Sequence, residues 1–530
     1  MPSRANVTIR PLFLKFFMSL VCLAVANGAQ TVTSQATTKE ASADLAQRIE
    51  RVENGIPPIS LGENEPPLRV NLRKLMEAYK VPGLSVAVID NFKIVWAKGY
   101  GVTESGGTAP VTTKTLFQAG SISKPVAASG TLYLVEHGKL SLDEDVDRKL
   151  VSWKVPENEF TKEQKVTLRR LMSHSAGLTV HGFPGYAVDE PIPTLVQIFN
   201  GEKPANTAPI RVDIVPGTKS RYSGGGITIE QQLVMDVTGE PFPQFMRKTV
   251  LDKIGMNDST YEQPLPPARA PLAASGTYAD GKAVRGKWHV YPEMAAAGLW
   301  TTPSDLARFA IEIALSKQGK TNNVLSEAMT QQMLTPQIDR IGLGFFLGDK
   351  NNPAQFGHNG ADEGFQAVLT MFGDSGHGVA VMGNSDNGIA VANYLIRSVA
   401  REYAWNNIPE KEPAADVLTL IADLKSPQVA MQKYADLRKT GSSEYDVDEG
   451  TLNQLGYHML QSGRKEDAIQ VFKRNVEEYP KSSNVYDSLG EAYMASGQKD
   501  LAIQNYEKSI ELNPKNQNGI DMLKKLREQK

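Results

Sequence analysis

The chain is almost free of cysteine. Among its 530 residues there is one, Cys22, and it lies in an apolar segment near the N-terminus. Disulfides, thiol catalysis and cysteine-ligated metal sites all require cysteine side chains. The sequence that follows this segment therefore excludes all three.

The chain also lacks an excess of charge of either sign. It has 57 basic and 59 acidic residues and a formal net charge of -2. Nucleic acids and anionic membranes attract proteins with a basic surface, so neither is an expected partner. The seven histidines form no His-x-x-x-His pair and no His-Glu-x-x-His motif, so no metal or other cofactor is predicted. We expect a small-molecule or peptide substrate.

No apolar run is long enough to span a membrane comfortably. The run PLFLKFFMSLVCLAVA follows Arg4 and Arg10, is interrupted by Lys15 and leads into small residues up to Ala29. A basic start, a short apolar run and a small-residue site are typical of a secretory signal peptide. We predict a signal peptide over residues 1–29 and a periplasmic or secreted protein. An uncleaved membrane anchor is the weaker alternative.

The central part of the chain has the pattern of one α+β domain. A polar, Pro- and Gly-rich linker over residues 30–66 precedes it. Two apolar runs around Asp90 and Asn91 predict a β-hairpin, and residues 364–385 predict a second one. Helical and loop-rich sequence lies between them. We therefore predict, for residues 67–405, an antiparallel sheet flanked by helices plus a mainly helical lobe, with the active site between the two.

The C-terminal part repeats itself at an offset of 34 residues. The matching pairs are Leu455/Leu489, Gly456/Gly490, Gly463/Gly497, Ala468/Ala502, Phe472/Tyr506 and Pro480/Pro514. This pattern resembles the tetratricopeptide repeat, a helix-turn-helix unit. We predict a helical linker over residues 406–446 and an all-α repeat domain over residues 447–530. The repeats would either bind a peptide or protein ligand in their groove or serve as a structural appendage.

One motif in the central domain has the spacing that nucleophilic catalysis needs. In AGSISKPVA, Lys124 follows Ser121 by three residues, close to one helical turn, so both side chains leave the same face of a helix. Pro125 fits the first turn of a helix, which places the helix start near Ser121. The same Ser-x-x-Lys spacing recurs in the turns of the repeats, at residues 462–465 and 496–499. The motif therefore needs partners elsewhere.

Three further segments supply those partners. They are LMSHSAGL at residues 171–178, RYSGGG at 221–226 and GHNGADEGF at 357–365. Together with the first motif, they resemble the serine β-lactamase and penicillin-binding-protein superfamily, and its class C-like branch in particular. The resemblance covers about residues 68–405. It implies a β-lactamase/transpeptidase-like fold and an acyl-enzyme reaction.

The resemblance also implies roles for individual residues. Ser121 corresponds to the acylated nucleophile, and Lys124 and Tyr222 to the pair that moves its proton. The backbone N-H groups of Ser121 and Ala361 correspond to the oxyanion hole. The edge-strand motif corresponds to His358, Asn359 and Gly360, where Gly360 would let the substrate carbonyl approach the strand. Whether Lys124 or Tyr222 is the base stays open at this stage.

Two departures from the family pattern bear on the substrate. His358 stands where the family often has a lysine, and a histidine with an ordinary pKa is mostly neutral at pH 7. Gly224 stands where the family has an asparagine whose amide would grip the substrate. Substrates with a carboxylate should therefore bind less well. We also expect His358 to protonate as the pH falls toward 6. The activity on carboxylate substrates should then rise relative to that on neutral esters.

These patterns predict a serine hydrolase that acts on an ester or amide. It would be an esterase or a D-amino-acid peptidase, with weak β-lactamase activity possible. The alternative is a catalytically idle penicillin-binding-like module that recruits a peptide partner through the repeats. An α/β-hydrolase is rejected, because SHSAG at residues 173–177 lacks the first glycine of that family's motif. We give His174 and Ser175 in this segment a supporting role.

Overall fold

The computed structural model describes residues 43–61, 66–405 and 411–528. The predicted signal peptide, residues 1–29, lies outside the described residues, as does part of the predicted linker that follows it. Within the described ranges, no helix has both the length and the apolar character that a membrane crossing requires.

The chain is a mixed α+β protein with a C-terminal helical region. The strands are Gly83–Asp90 (β1), Lys93–Gly101 (β2), Phe117–Gln118 (β3), Tyr186–Ala187 (β4), His289–Val290 (β5), Trp300–Thr301 (β6), Phe346–Leu347 (β7), Gln355–Asp362 (β8), Phe365–Phe372 (β9), Gly378–Gly383 (β10), Glu412–Pro413 (β11) and Tyr445–Asp446 (β12). The helices of the first half are residues 43–53 (α1), Leu72–Ala78 (α2), Ser123–Glu136 (α3), Leu168–Met172 (α4), Leu195–Asn200 (α5), Gly224–Thr238 (α6) and Phe242–Met246 (α7). Those of the second half are Met294–Ala297 (α8), Pro303–Lys317 (α9), Glu327–Met333 (α10), Gly388–Glu402 (α11), Ala414–Leu424 (α12), Pro427–Thr440 (α13), Glu449–Gln461 (α14), Lys465–Glu478 (α15), Ser483–Ala495 (α16), Lys499–Leu512 (α17) and Gln517–Glu528 (α18).

The main sheet has six strands in the order β2-β1-β10-β9-β8-β7, and all of its neighbours are antiparallel. Both predicted hairpins are present, β1–β2 and β9–β10. In the first, Asn91 and Phe92 have φ values of 49° and 59° between the paired residues Asp90 and Lys93. Two successive positive φ values are typical of the tight turns that match the twist of a hairpin.

The sheet separates two apolar clusters because side chains alternate between its faces. Ala87 and Ile89 of β1 point into the first cluster, which the helical lobe between β2 and β7 completes. Leu84, Val86 and Val88 point into the second cluster. The run GLSVAVID is therefore almost entirely buried, since helices cover both faces of the sheet.

The second cluster joins the sheet to the C-terminal helices. It contains buried side chains of α2, of α11 and of the helices α12 to α17, such as Leu418, Leu455 and Phe472. The ring of Tyr79, at the end of α2, meets the ring of His458 on α14 edge to face at 6.3 Å. The repeats and the α+β domain therefore share one apolar core rather than meeting through a linker alone.

The repeat pattern has a direct packing reason. A Cβ atom at Gly456 would lie 2.6 Å from the Phe472 ring, and one at Gly490 would lie 3.2 Å from the Tyr506 ring. Each glycine thus lets the paired helix bring its aromatic ring against the backbone. Helix α18 packs on α17 and α12 on α14, so both ends of the repeat array are covered, as two repeats alone require.

The shared core predicts that a cavity in α12 destabilises the whole chain. Leu418 is fully buried in the second cluster, so Leu418→Ala should lower the free energy of unfolding by about 2–5 kcal/mol. All five tryptophans lie at or before position 405 and report on the α+β domain, whereas far-ultraviolet circular dichroism reports on all helices. The two signals should shift together. Leu501→Ala, at a position 38% exposed, is the control. An unchanged tryptophan transition in Leu418→Ala would show that the two parts unfold independently.

Candidate active site

Ser121 lies where a short strand turns into a helix. β3 leads through Ala119 into a 3-10 turn at Gly120–Ile122, and α3 follows directly. Gly120 has a φ of 50°, and a Cβ atom there would lie 2.5 Å from the backbone nitrogen of Ala361. Glycine is therefore required for β8 to approach the turn that carries Ser121. Pro125 lies in the first turn of α3, where the sequence placed it.

Lys124 and Ser121 are in direct contact. The Lys124 Nζ atom donates a hydrogen bond to Ser121 Oγ at 2.8 Å and a second to the carbonyl oxygen of Ala296 at 2.7 Å. Lys124 is only 3% exposed. A buried ammonium group must be compensated by acceptors. These two hydrogen bonds therefore hold the Lys124 side chain beside Ser121.

Tyr222 completes the group that the sequence predicted. It immediately precedes Ser223, whose side chain caps the N-terminus of α6, and its ring centre lies 5.0 Å from Lys124 Nζ. The structure thus brings Ser121, Lys124 and Tyr222 together from the N-terminal ends of two different helices, α3 and α6. At this distance the ring faces the cation favourably.

Histidine rings surround Tyr222. The ring of His174 lies 4.2 Å and that of His181 4.8 Å from the ring of Tyr222, centre to centre. The backbone N-H of Ser223 donates to His174 Nδ1 at 3.3 Å, so this nitrogen carries no proton. Burial, and then the positive charge of Lys124, lowers the pKa of His174 well below its ordinary value. The ring of His174 therefore packs against Tyr222 as a neutral group.

His358 is buried on β8 and neutral. It is 5% exposed, and its Nδ1 atom donates to the carbonyl oxygen of Asn359 at 2.5 Å. Burial, with a further contribution from the positive Lys124, lowers the pKa of His358 to about 3. The expectation that His358 protonates as the pH falls toward 6 is therefore wrong. A sequence cannot show the burial that causes this shift.

The other residues of the edge-strand motif lie at the turn that carries Ser121. A Cβ atom at Gly360 would lie 1.9 Å from the carbonyl oxygen of Ala119, so only glycine fits there. The side chains of Asn359 and Ala361 are exposed on the other face of β8. The backbone nitrogen of Ala361 is next to Gly120, and the first N-H groups of a helix have no intrahelical acceptor. The backbone nitrogen of Ala361 therefore lies beside the turn that carries Ser121, and the joint role of the two backbone donors stays a prediction.

A cleft of about 430 Å³ opens above these groups. It is lined by Ser121, His181, Tyr222, Phe346, His358, Asn359, Gly360, Ala361, Gln366 and Ile389. Sequence reasoning missed His181, Phe346, Gln366 and Ile389, which lie outside the recognised motifs. Of the described residues that line the cleft, none is a lysine or an arginine. A larger cavity of about 1260 Å³ borders β2, at the opposite edge of the sheet, and contains none of the predicted site residues.

Two buried carboxyl groups lie near the site. Among the described residues, no donor makes a hydrogen bond of good geometry to a side-chain oxygen of Glu293 or Asp362, and the backbone N-H of Gly120 is a weaker donor to Asp362. Burial raises the pKa of Glu293 to about 8 and raises that of Asp362 well above its ordinary value. Glu293 is therefore largely protonated at neutral pH, and burial shifts the pKa of Asp362 in the same direction. The described ranges contain no cluster of three or more histidine, aspartate or glutamate side chains arranged to hold a metal ion.

The fold and this arrangement define a serine hydrolase-type domain like those of β-lactamases and penicillin-binding proteins. The sequence profile of the β-lactamase family matches residues 68–403, and the chain belongs to that family. A tetratricopeptide repeat profile matches residues 483–516.

Individual relatives agree with this assignment. A β-lactamase of Pseudomonas fluorescens is 31% identical over 240 residues, which are 44% of this chain and 60% of that protein. Penicillin-binding protein 4 of Amycolatopsis lactamdurans is 25% identical over 63% of this chain and 89% of its own length. The octameric penicillin-binding protein homologue from Pyrococcus abyssi superposes with a TM-score of 0.52 at 23% identity, over 64% of this chain and 79% of that one. The last comparison supports the fold alone.

The buried carboxyl of Glu293 predicts a pH-dependent stability difference. An exposed glutamate titrates near ~4.3, so the unfolded chain releases this proton at a lower pH than the folded chain. The folded state therefore loses stability as the pH rises from ~4 toward 8. Gln cannot ionise. On going from pH 5 to pH 8, the free energy of unfolding of Glu293→Gln should therefore rise by at least about 1 kcal/mol relative to that of the wild type. Denaturant unfolding at the two pH values measures this gain. The exposed Glu163→Gln should show no such difference, and a pH-independent effect of Glu293→Gln would contradict the assignment.

Proposed function

We propose that the chain is a serine hydrolase that forms an acyl-enzyme through Ser121. The observation that carries this proposal is the 2.8 Å hydrogen bond between Lys124 Nζ and Ser121 Oγ at a buried helix start. A serine hydroxyl is a weak nucleophile until a neighbouring base takes its proton. Lys124 is the group in contact with that hydroxyl, and Tyr222 is next to it.

The reaction would proceed in two transfers. Lys124 first releases to solvent the proton that it carries as an ammonium group, and the Ser121 proton then passes to the neutral amine, with Tyr222 able to carry it onward, as Oγ attacks the carbonyl carbon of the substrate. Negative charge then develops on the carbonyl oxygen, where the backbone N-H groups of Ser121 and Ala361 would stabilise it. The same proton is returned to the leaving group as its bond to carbon breaks. Water then attacks the acyl-enzyme and restores Ser121.

The cleft favours an uncharged ester or amide over a carboxylate substrate. Lysine and arginine are absent from its described lining, and His358 stays neutral through the physiological pH range. Phe346, which is 41% exposed, and Ile389 offer apolar surface beside Ser121. These observations support an esterase or small peptidase with weak β-lactamase activity. The N-terminal pattern and the bacterial relatives support a periplasmic or secreted location.

The first test is covalent labelling of the purified protein. A fluorophosphonate probe or a penicillin should add one mass equivalent to Ser121, and an activated aryl ester should be hydrolysed. Ser121→Ala should remove both signals while the protein still folds and unfolds cooperatively, although Lys124 loses one of its acceptors. Ser175→Ala, which changes a buried serine bonded to Ser173 Oγ, is the matched control and should keep labelling. If the wild type takes no label and hydrolyses no ester, the chain is a binding module and not a hydrolase.

A second test concerns the charge of His358. Because the pKa of His358 is about 3, it gains no charge between pH 8 and pH 6. The ratio of kcat/KM for a carboxylate-bearing aryl ester to that for its neutral methyl ester should therefore be flat over this range. Measuring both substrates together cancels the pH dependence of the catalytic groups. A ratio that rises several-fold toward pH 6 in the wild type and also in His181→Asn, which removes the other histidine of the cleft, would show that His358 protonates and contacts the substrate anion.

A further inference from the structure

The backbone carbonyl that accepts a hydrogen bond from Lys124 lies on a short helix that is not stable by itself. The carbonyl oxygen of Ala296 accepts from Lys124 Nζ at 2.7 Å, and Ala296 belongs to α8, a helix of four residues. A single helical turn is unstable without outside contacts. Three of the four residues are alanines, whose side chains form no hydrogen bonds. The position of this carbonyl must therefore be fixed by other parts of the chain.

Gln231 on α6 makes the contacts closest to that carbonyl. Its Oε1 atom accepts from the backbone N-H of Ala295 at 2.9 Å, and its Nε2 atom donates to the carbonyl oxygen of Pro292 at 3.0 Å. The side chain is completely buried. One amide group thus uses a donor and an acceptor to clamp the chain on both sides of Glu293.

Two other side chains hold the same segment at its ends. Gln263 bonds the backbone N-H of Tyr291 at 3.3 Å and the carbonyl oxygen of Gly298 at 2.9 Å. Ser123 Oγ accepts from the N-H of Leu299 at 3.0 Å. These contacts lie outside α8, whereas Gln231 bonds within it, one residue before Ala296.

We propose that Gln231 is a positioning residue that fixes the Ala296 carbonyl and thereby keeps Lys124 against Ser121. The proposal rests on the proposed function, since it concerns the rate at which Ser121 is acylated. It also relates helix α6 to both side chains that are predicted to move the Ser121 proton, Tyr222 and Lys124. The N-cap of α6 follows Tyr222, and Gln231, two turns further along, holds the acceptor of Lys124. A displacement of one helix would be transmitted to both groups.

The test compares two neighbouring glutamines of α6. Gln231→Leu removes both hydrogen bonds at nearly constant volume, so fluorophosphonate labelling and ester kcat should fall about ten- to a hundredfold with little change in KM. Gln232 is also buried, but within the described part of the chain its side chain bonds only Asp236 of its own helix, at 2.9 Å. Gln232→Leu should therefore label at a rate within about twofold of the wild type. Thermal unfolding identifies any variant that has lost its fold.

The variant Gln231→Glu keeps the shape of the side chain and changes only its hydrogen bonds. It therefore tests the proposal even if the leucine variant does not fold. A protonated carboxyl can accept from Ala295 and donate to Pro292, whereas an ionised one has lost the donor. The labelling rate of this variant relative to the wild type should therefore fall as the pH rises. Lys124, Glu230 and Glu293 lie nearby in both proteins, so the two labelling rates are compared at each pH in the same surroundings.

The outcomes distinguish this inference from the proposed function. Wild-type rates in Gln231→Leu, or a pH-independent ratio in Gln231→Glu together with equal losses in the two leucine variants, would overturn the role of Gln231 and leave the hydrolase intact. A wild type that takes no label would overturn the hydrolase itself, and the role of Gln231 with it.

Discussion

The hydrogen bond from buried Lys124 to Ser121 is the constraint around which the site is built. An ammonium group removed from water is tolerated only where acceptors surround it. Ser121 Oγ is one acceptor and the Ala296 carbonyl is another. The close approach of β8, the turn at Gly120 and the short helix α8 together enclose this pair. The same enclosure keeps His174 and His358 neutral, mainly because burial disfavours a charged ring and further because a second positive charge beside Lys124 would be unfavourable.

Features that depend on local sequence could be predicted. The contact between Ser121 and Lys124 follows from a three-residue spacing at a helix start. The β1–β2 hairpin follows from two apolar runs around Asp90, and the helical repeats from their offset. Tyr222 and the edge strand could be assigned only through the family resemblance, because more than 90 residues of chain separate each from Lys124 in the sequence. Spacing alone carries no information about such pairs.

Features that depend on burial or on the backbone could not be predicted. The ordinary pKa of histidine suggested a titration near neutrality for His358. Its burial on β8, close to Lys124, lowers that pKa instead. Every residue has a backbone carbonyl, so nothing in the sequence marks the one of Ala296 as the acceptor of Lys124. Phe346 and Ile389 look like core residues in the sequence, yet they line the cleft because the edge of the sheet ends beside them.

The apolar cluster that joins the sheet to α12 and the repeats makes the repeats part of the same thermodynamic system as the hydrolase site. Any ligand that binds the folded repeats, and not the unfolded chain, stabilises the native state by mass action. Because the core is shared, that stabilisation reaches the strands that carry the site as well. Occupancy of the repeats would therefore raise the free energy of unfolding of the α+β domain without any change in the geometry around Ser121.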